Sequence, residues 1–316
     1  MKSSYIALAC ATAVCGAAFA AEEEKEESSG WTYAPGEGVS FNETKIVSGE
    51  ASLSFDSKYL SYGFVDNKDP ILTPAGSVTF FDWVTFGVNA IFDVTTYGRR
   101  AGYTSRRFQY TELHPTVTIG HSFSPEDFEW LPTTIDIAVG YDYEYHPNSK
   151  SKGSTDEDTG LWDKSVSEDT QFWTVEVGLP DLWVEPKFLY ERDVMRDEGT
   201  YLNLELGHTF NLLDEEDDTL TLRPSVAQGF GDRKRVRAYA TKADGEPLNH
   251  AGFMDTMVKL ELAWKICDCL SLSGYVGYSD FLFDRKIRDA SRRYEALGKW
   301  EESWNFVGGL ALTVAF

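Results

Sequence analysis

From about Ile46 to Phe316 the sequence repeats one event: a run in which apolar and polar residues alternate, a break, then another run. A period of two sends successive side chains to opposite faces, which is the signature of β-strand. Val84, Phe86, Val88, Ala90, Phe92 and Val94 share one face, against Thr85, Gly87, Asn89, Asp93 and Thr95 on the other. Leu202, Leu204 and Leu206 alternate with Asn203, Glu205 and Gly207 in the same way. Val258, Leu260, Leu262 and Trp264 alternate with Lys259, Glu261, Ala263 and Lys265. Twelve such strands are expected, near 47–64, 71–81, 84–97, 110–123, 133–146, 170–179, 184–191, 201–212, 219–231, 253–266, 270–283 and 304–316.

Two folds can use such strands. A soluble β-sandwich hides the apolar faces between two sheets; a membrane barrel turns them outward to lipid and keeps the polar faces inside. The connections decide between them. Asp82-Trp83, 180–183, 213–218 and 267–269 are short, whereas 147–169, 232–250 and 284–302 are long, the asymmetry of short periplasmic turns and long extracellular loops. Aromatics make up 14% of the chain, and many stand at strand ends, among them Tyr59, Phe80, Trp83, Trp130, Trp173, Trp183, Trp264 and Trp304, where interfacial girdles belong. No stretch of the mature chain offers the roughly 18–20 consecutive apolar residues of a membrane helix. The expectation is an all-β transmembrane antiparallel up-and-down β-barrel of about twelve strands over 46–316.

The ends of the chain carry an address. Lys2, the apolar Tyr5–Ala17 and Ala18-Phe19-Ala20 read as a signal peptide cleaved after residue 20. Residues 21–45, opening on Glu22–Glu27, are too charged to bury and are expected to be a disordered acidic periplasmic segment. The final strand places Phe306, Gly308, Leu310, Leu312, Val314 and Phe316 on one face. It resembles the C-terminal strand of bacterial outer-membrane proteins, which implies that Phe316 is an assembly signal read by the barrel-assembly machinery of a Gram-negative type envelope. The first strand and its loop, with Ser57, Tyr59, Gly63 and then Asp69-Pro70, resemble the opening of the TorF family of bacterial outer-membrane porins; Tyr62 stands where that family has arginine. The resemblance implies a porin and covers about 15 residues. Gly63 and Asp69-Pro70 also have local readings, as a bulge or bend and as a turn.

The polar faces nominate the lumen: Asp93, Asp136, Asp142, Glu144, Glu176, Glu185, Lys187, Glu205, Arg223, Lys259, Glu261 and Lys265, eight acids and four bases. Such charges either line a narrow, mildly cation-preferring pore or pair into a network that closes a structural barrel. The whole chain carries −22, which argues against nucleic acid as a partner. Its basic residues nonetheless collect in loops: 98–107, 232–250 and 284–302 hold fifteen, with eight acids. Arg99, Arg100, Arg106, Arg107, Arg233, Arg235, Arg288, Arg292 and Arg293 form the expected external rim, suited to lipopolysaccharide phosphates or to drawing anions inward.

No catalytic chemistry stands out. His121-Ser122 and His208-Thr209 are sequence neighbours, but adjacent strand residues face opposite ways. His208, on the apolar face near an interface, reads as packing. Cys267-Asp268-Cys269, in a predicted turn, is too small a donor set for structural zinc. No metal and no cofactor are expected. The function expected is passive diffusion of small polar solutes through a charged lumen. The alternative is a non-conducting structural or adhesive barrel that binds lipopolysaccharide or a surface partner through its basic loops.

Overall fold

The computed structural model describes residues 31–41, 44–95, 108–147, 154–155, 162–163, 169–213, 219–240, 246–291 and 303–316. Among them twelve antiparallel strands close on themselves: β1 (Thr44–Asp56), β2 (Ile71–Phe80), β3 (Val84–Asp93), β4 (Gln109–Phe123), β5 (Ile135–Glu144), β6 (Thr170–Gly178), β7 (Lys187–Asp193), β8 (Thr200–Gly207), β9 (Leu220–Gly231), β10 (Gly252–Cys267), β11 (Leu270–Asp280) and β12 (Trp304–Ala315). Each pairs with its neighbours in sequence, and β12 returns to pair with β1, Leu312 opposite Leu53. The fold is an up-and-down barrel, and closure removes every open edge among these strands.

Cross-strand register carries the alternation around the wall. Asp56 lies opposite Gly309 and Ile71, and Ile71 opposite Asp93, so these four share the inner face. The outer face holds Ile119, Val276, Leu310 and Phe306, exposed by 55–65%. An apolar band of that extent belongs in lipid. Among the described residues no helix is long and apolar enough to cross a membrane; strands do the crossing. Two aromatic girdles bound the band. At the end with short turns, Trp83 stacks on His121 at 4.1 Å and Trp183 on His208 at 5.0 Å. At the end with long loops, Trp304 packs with Tyr278 and Phe306, and Trp173 with Tyr141.

Two expectations change. The first strand ends at Asp56, not near residue 64; beyond it, 59–61 and 64–67 pair as a separate hairpin. The segment expected to be disordered through residue 45 forms strands at Trp31–Ala34 and Gly38–Phe41, which pair with each other and extend β1 at the turn end. Gly36 and Gly38 there have φ of +82° and +92°, and a Cβ on Gly36 would sit 2.1 Å from the carbonyl oxygen of Asp268. Glycine permits both the turn and that approach. The charged run 22–27, on which the disorder reading rested, and the signal peptide lie outside the described residues.

Candidate functional site

Among the described residues a buried apolar cluster lies inside the loop end of the barrel. Helices α1 (Arg233–Tyr239) and α2 (Arg285–Ser291) and the hairpin 59–67 fold inward, and Phe64, Val236, Ala240, Met254, Phe281, Ile287 and Ala290 bury against one another. Tyr62 packs on Tyr201 and Tyr239 with ring centroids at 4.7 and 5.1 Å. The hairpin turns on Tyr62-Gly63, with φ of 53° and 85°, the pair of left-handed residues that a two-residue type I′ turn demands. A Cβ on Gly63 would lie 2.5 Å from that of Asp255, so glycine also lets the turn reach the wall.

Arg235 was expected on the external rim; it is instead 1% exposed. Its guanidinium meets Glu191 at 3.1 Å and Asp197 at 3.2 Å and lies 4.5 Å from the Tyr62 ring centroid. Tyr62 donates its hydroxyl to the same Glu191. One buried cation thus ties α1, the hairpin and the wall of β7 together. Burial works against its charge, but the surrounding acidic groups outweigh burial and hold its pKa above the usual guanidinium value. Arg233 is exposed on the outer side of α1. Arg288 reaches back to Asp280 at 3.2 Å and to Ser303. Arg99, Arg100, Arg106, Arg107, Arg292 and Arg293, and residues 214–218 of the short connection 213–218, lie outside the described residues.

Below the hairpin is a cavity of about 570 Å³, lined by Asp56, Lys58, Tyr59, His114, Glu205, Lys259 and Tyr275, with small residues such as Ser54, Thr73 and Ala227 between them. The sequence-nominated charges distribute around it unevenly. Arg223 pairs with Glu205 and, at 3.2 Å, with Glu185. Glu185 belongs to the turn before β7 and also accepts from the backbone N–H and hydroxyl of Thr209. Lys259 meets Glu261 at 2.9 Å. Lys265 pairs with Asp268 in the turn. Glu176 and Lys187 sit on the inner face, Glu176 opposite Ala138 and Lys187 opposite Glu205. Asp136 accepts from Ser122 at the turn end. Asp93 does not line open lumen: it is 2% exposed and accepts from the backbone and hydroxyl of Thr95.

Asp142 and Glu144 join a constellation whose other members, Glu112, His114 and His146, were not among the lumen residues expected from the alternation. His114 Nε2 is 3.2 Å from Glu112 and its Nδ1 3.4 Å from Asp142; His146 Nε2 is 3.1 Å from Glu144. The signal was present as Glu112-x-His114 and Glu144-x-His146, each with both members on one strand face. Only the register shows that the two pairs are adjacent. Close by, Asp66 of the hairpin is raised to about 7, first by burial and then by the charges of Glu112 and Glu144, against the hydroxyl of Ser61 and the charge of Arg196.

No family model matches the sequence, and no curated protein does. Solved structures resemble the barrel loosely. An outer membrane channel from Pseudomonas putida F1 aligns over 93% of this chain and 100% of its own at 8% identity, TM-score 0.45. OmpT, an outer membrane protein of Vibrio cholerae, covers 85% and 97% at 13% identity, TM-score 0.34. Salmonella typhi OmpF, in complex with daunomycin, covers 85% and 97% at 9%, TM-score 0.33.

Proposed function

We propose that the chain is a porin-like channel of a bacterial outer membrane that passes small polar solutes by diffusion, without enzymatic chemistry, its turn end in the periplasm. The observation that carries this reading is the cavity beneath the hairpin. Its wall combines acids, bases and small hydroxylated residues, where a purely structural barrel of this width would fill its interior with larger side chains. Lys58 and Lys259 line it together with Asp56 and Glu205, a wall of mixed charge that admits small polar or charged solutes and disfavours apolar ones. The hairpin and helices narrow the outer side. Arg233 and Arg237, exposed on α1, suit the phosphates of lipopolysaccharide. A signal peptide, the TorF-like opening and Phe316 as assembly signal fit the same reading.

The test is single-channel recording of refolded protein in a planar bilayer under a salt gradient. Steps of small conductance are expected, and Lys259→Gln should move the reversal potential toward cation preference. Silence from protein verified as folded would overturn the channel reading. It would favour the second reading, a non-conducting barrel, which the apolar cluster at the loop end supports.

A further inference from the structure

We infer that the inner wall between β4 and β5 binds one divalent transition cation of the zinc type, through Glu112, His114 and Glu144 with His146 as the fourth donor. The isolated bridge of Leu113 with Tyr145 sets Glu112 opposite His146 and His114 opposite Glu144, so carboxylates and imidazoles alternate in a two-by-two square. One ligand atom from each of Glu112, His114 and Glu144 lies within 4.8 Å of the others. His146 Nε2 stands 3.1 Å from Glu144 and 3.7 Å from Glu112. Zinc bonds to such donors measure about 2.0–2.2 Å, so small side-chain rotations close the square on an ion.

The outer contacts fit as well. Asp142 holds His114 at Nδ1, 3.4 Å away, leaving Nε2 toward the square, the carboxylate–histidine relay that orients metal-bound imidazoles. The other carboxylate oxygen of Asp142 is buried with no hydrogen-bond partner among the described residues. Two nitrogen donors favour zinc-like ions over magnesium and calcium, which take oxygen. The four side chains are only 11–16% exposed, and His114 borders the cavity, which provides the route of entry. A bound ion would cross-link β4 to β5 beneath the hairpin.

Binding does not depend on the channel reading, because it is measured on the folded barrel whether or not it conducts. The experiment is calorimetric titration of ZnCl2 into untagged, chelator-stripped protein in detergent, in a Cys267→Ser/Cys269→Ser background so that the thiol pair cannot compete. One zinc per chain is expected. His114→Gln should abolish binding, Asp142→Asn should weaken it about tenfold or more, and His250→Gln should leave it unchanged. No binding, binding unaltered in His114→Gln, or equal affinity for MgCl2 would overturn the site. If the His114 variant fails to fold, X-ray absorption of zinc on the parent protein decides: a shell with two nitrogens supports the assignment, and one of oxygen alone refutes it.

Discussion

Arg235 shows how much can rest on one side chain. A guanidinium out of water is costly by itself; here two carboxylates and the face of Tyr62 offset that cost. Removing one member of such a pair leaves the other charges buried and unmet. Arg235→Met should therefore destabilise the inward-folded loops by about 3–5 kcal/mol, read as protease cleavage within α1 at denaturant concentrations that leave the strands intact. Unchanged protection of α1 would refute the anchoring role. Gly49 matters for a steric reason. A Cβ there would fall 2.6 Å from the Phe316 ring and 2.8 Å from the carbonyl oxygen of Ser77, where β1 pairs with Phe316 through two backbone hydrogen bonds. The ring can move but the strand cannot do so freely, so Gly49→Val should cost about 1–3 kcal/mol, measured as a lower temperature for loss of the folded band in detergent electrophoresis.

Among the elements, the hairpin 59–67 stands apart as a two-stranded sheet that is not part of the barrel ladder. It is joined to the wall largely by side chains, and it carries Asp66 beside Glu112 and Glu144. The folded pKa of about 7 stands above the ordinary value of 3.8, so the docked hairpin holds its proton more tightly than the released one. Docking is then strongest below about pH 4 and weakens as the pH rises through 7. Open-channel probability and protease access to the hairpin should both increase across that window, and Asp66→Asn should flatten both curves. The same element is why β1 is shorter than the sequence predicts. The aromatics Tyr59, Tyr62 and Phe64 suggest a strand reaching residue 64, but Tyr62 and Phe64 are out of phase with Leu53 and Phe55, and the left-handed pair Tyr62-Gly63 turns the chain back. Helix α1 sorts its basic run in the same way: within Arg233–Arg237, a pitch of 3.6 residues buries Arg235 and Val236 and exposes Arg233, Lys234 and Arg237, and which side faces the barrel depends on docking.

For the whole molecule the consequence is a wide wall narrowed at its loop end. Deleting residues 59–67 should raise single-channel conductance several-fold while the barrel still folds, because the strands close without the hairpin; an unchanged conductance would place the constriction elsewhere. The sequence by itself determined the twelve strands, their inward and outward faces, and closure into a barrel, because a period of two is local and the apolar face must find lipid. Only the tertiary structure decided what fills the barrel. The apolar cluster at its mouth and the burial of Arg235 bring together residues far apart in the chain. The Glu112, His114, Glu144 and His146 square likewise depends on which residues the register sets side by side, a property of neighbouring strands that no single strand contains.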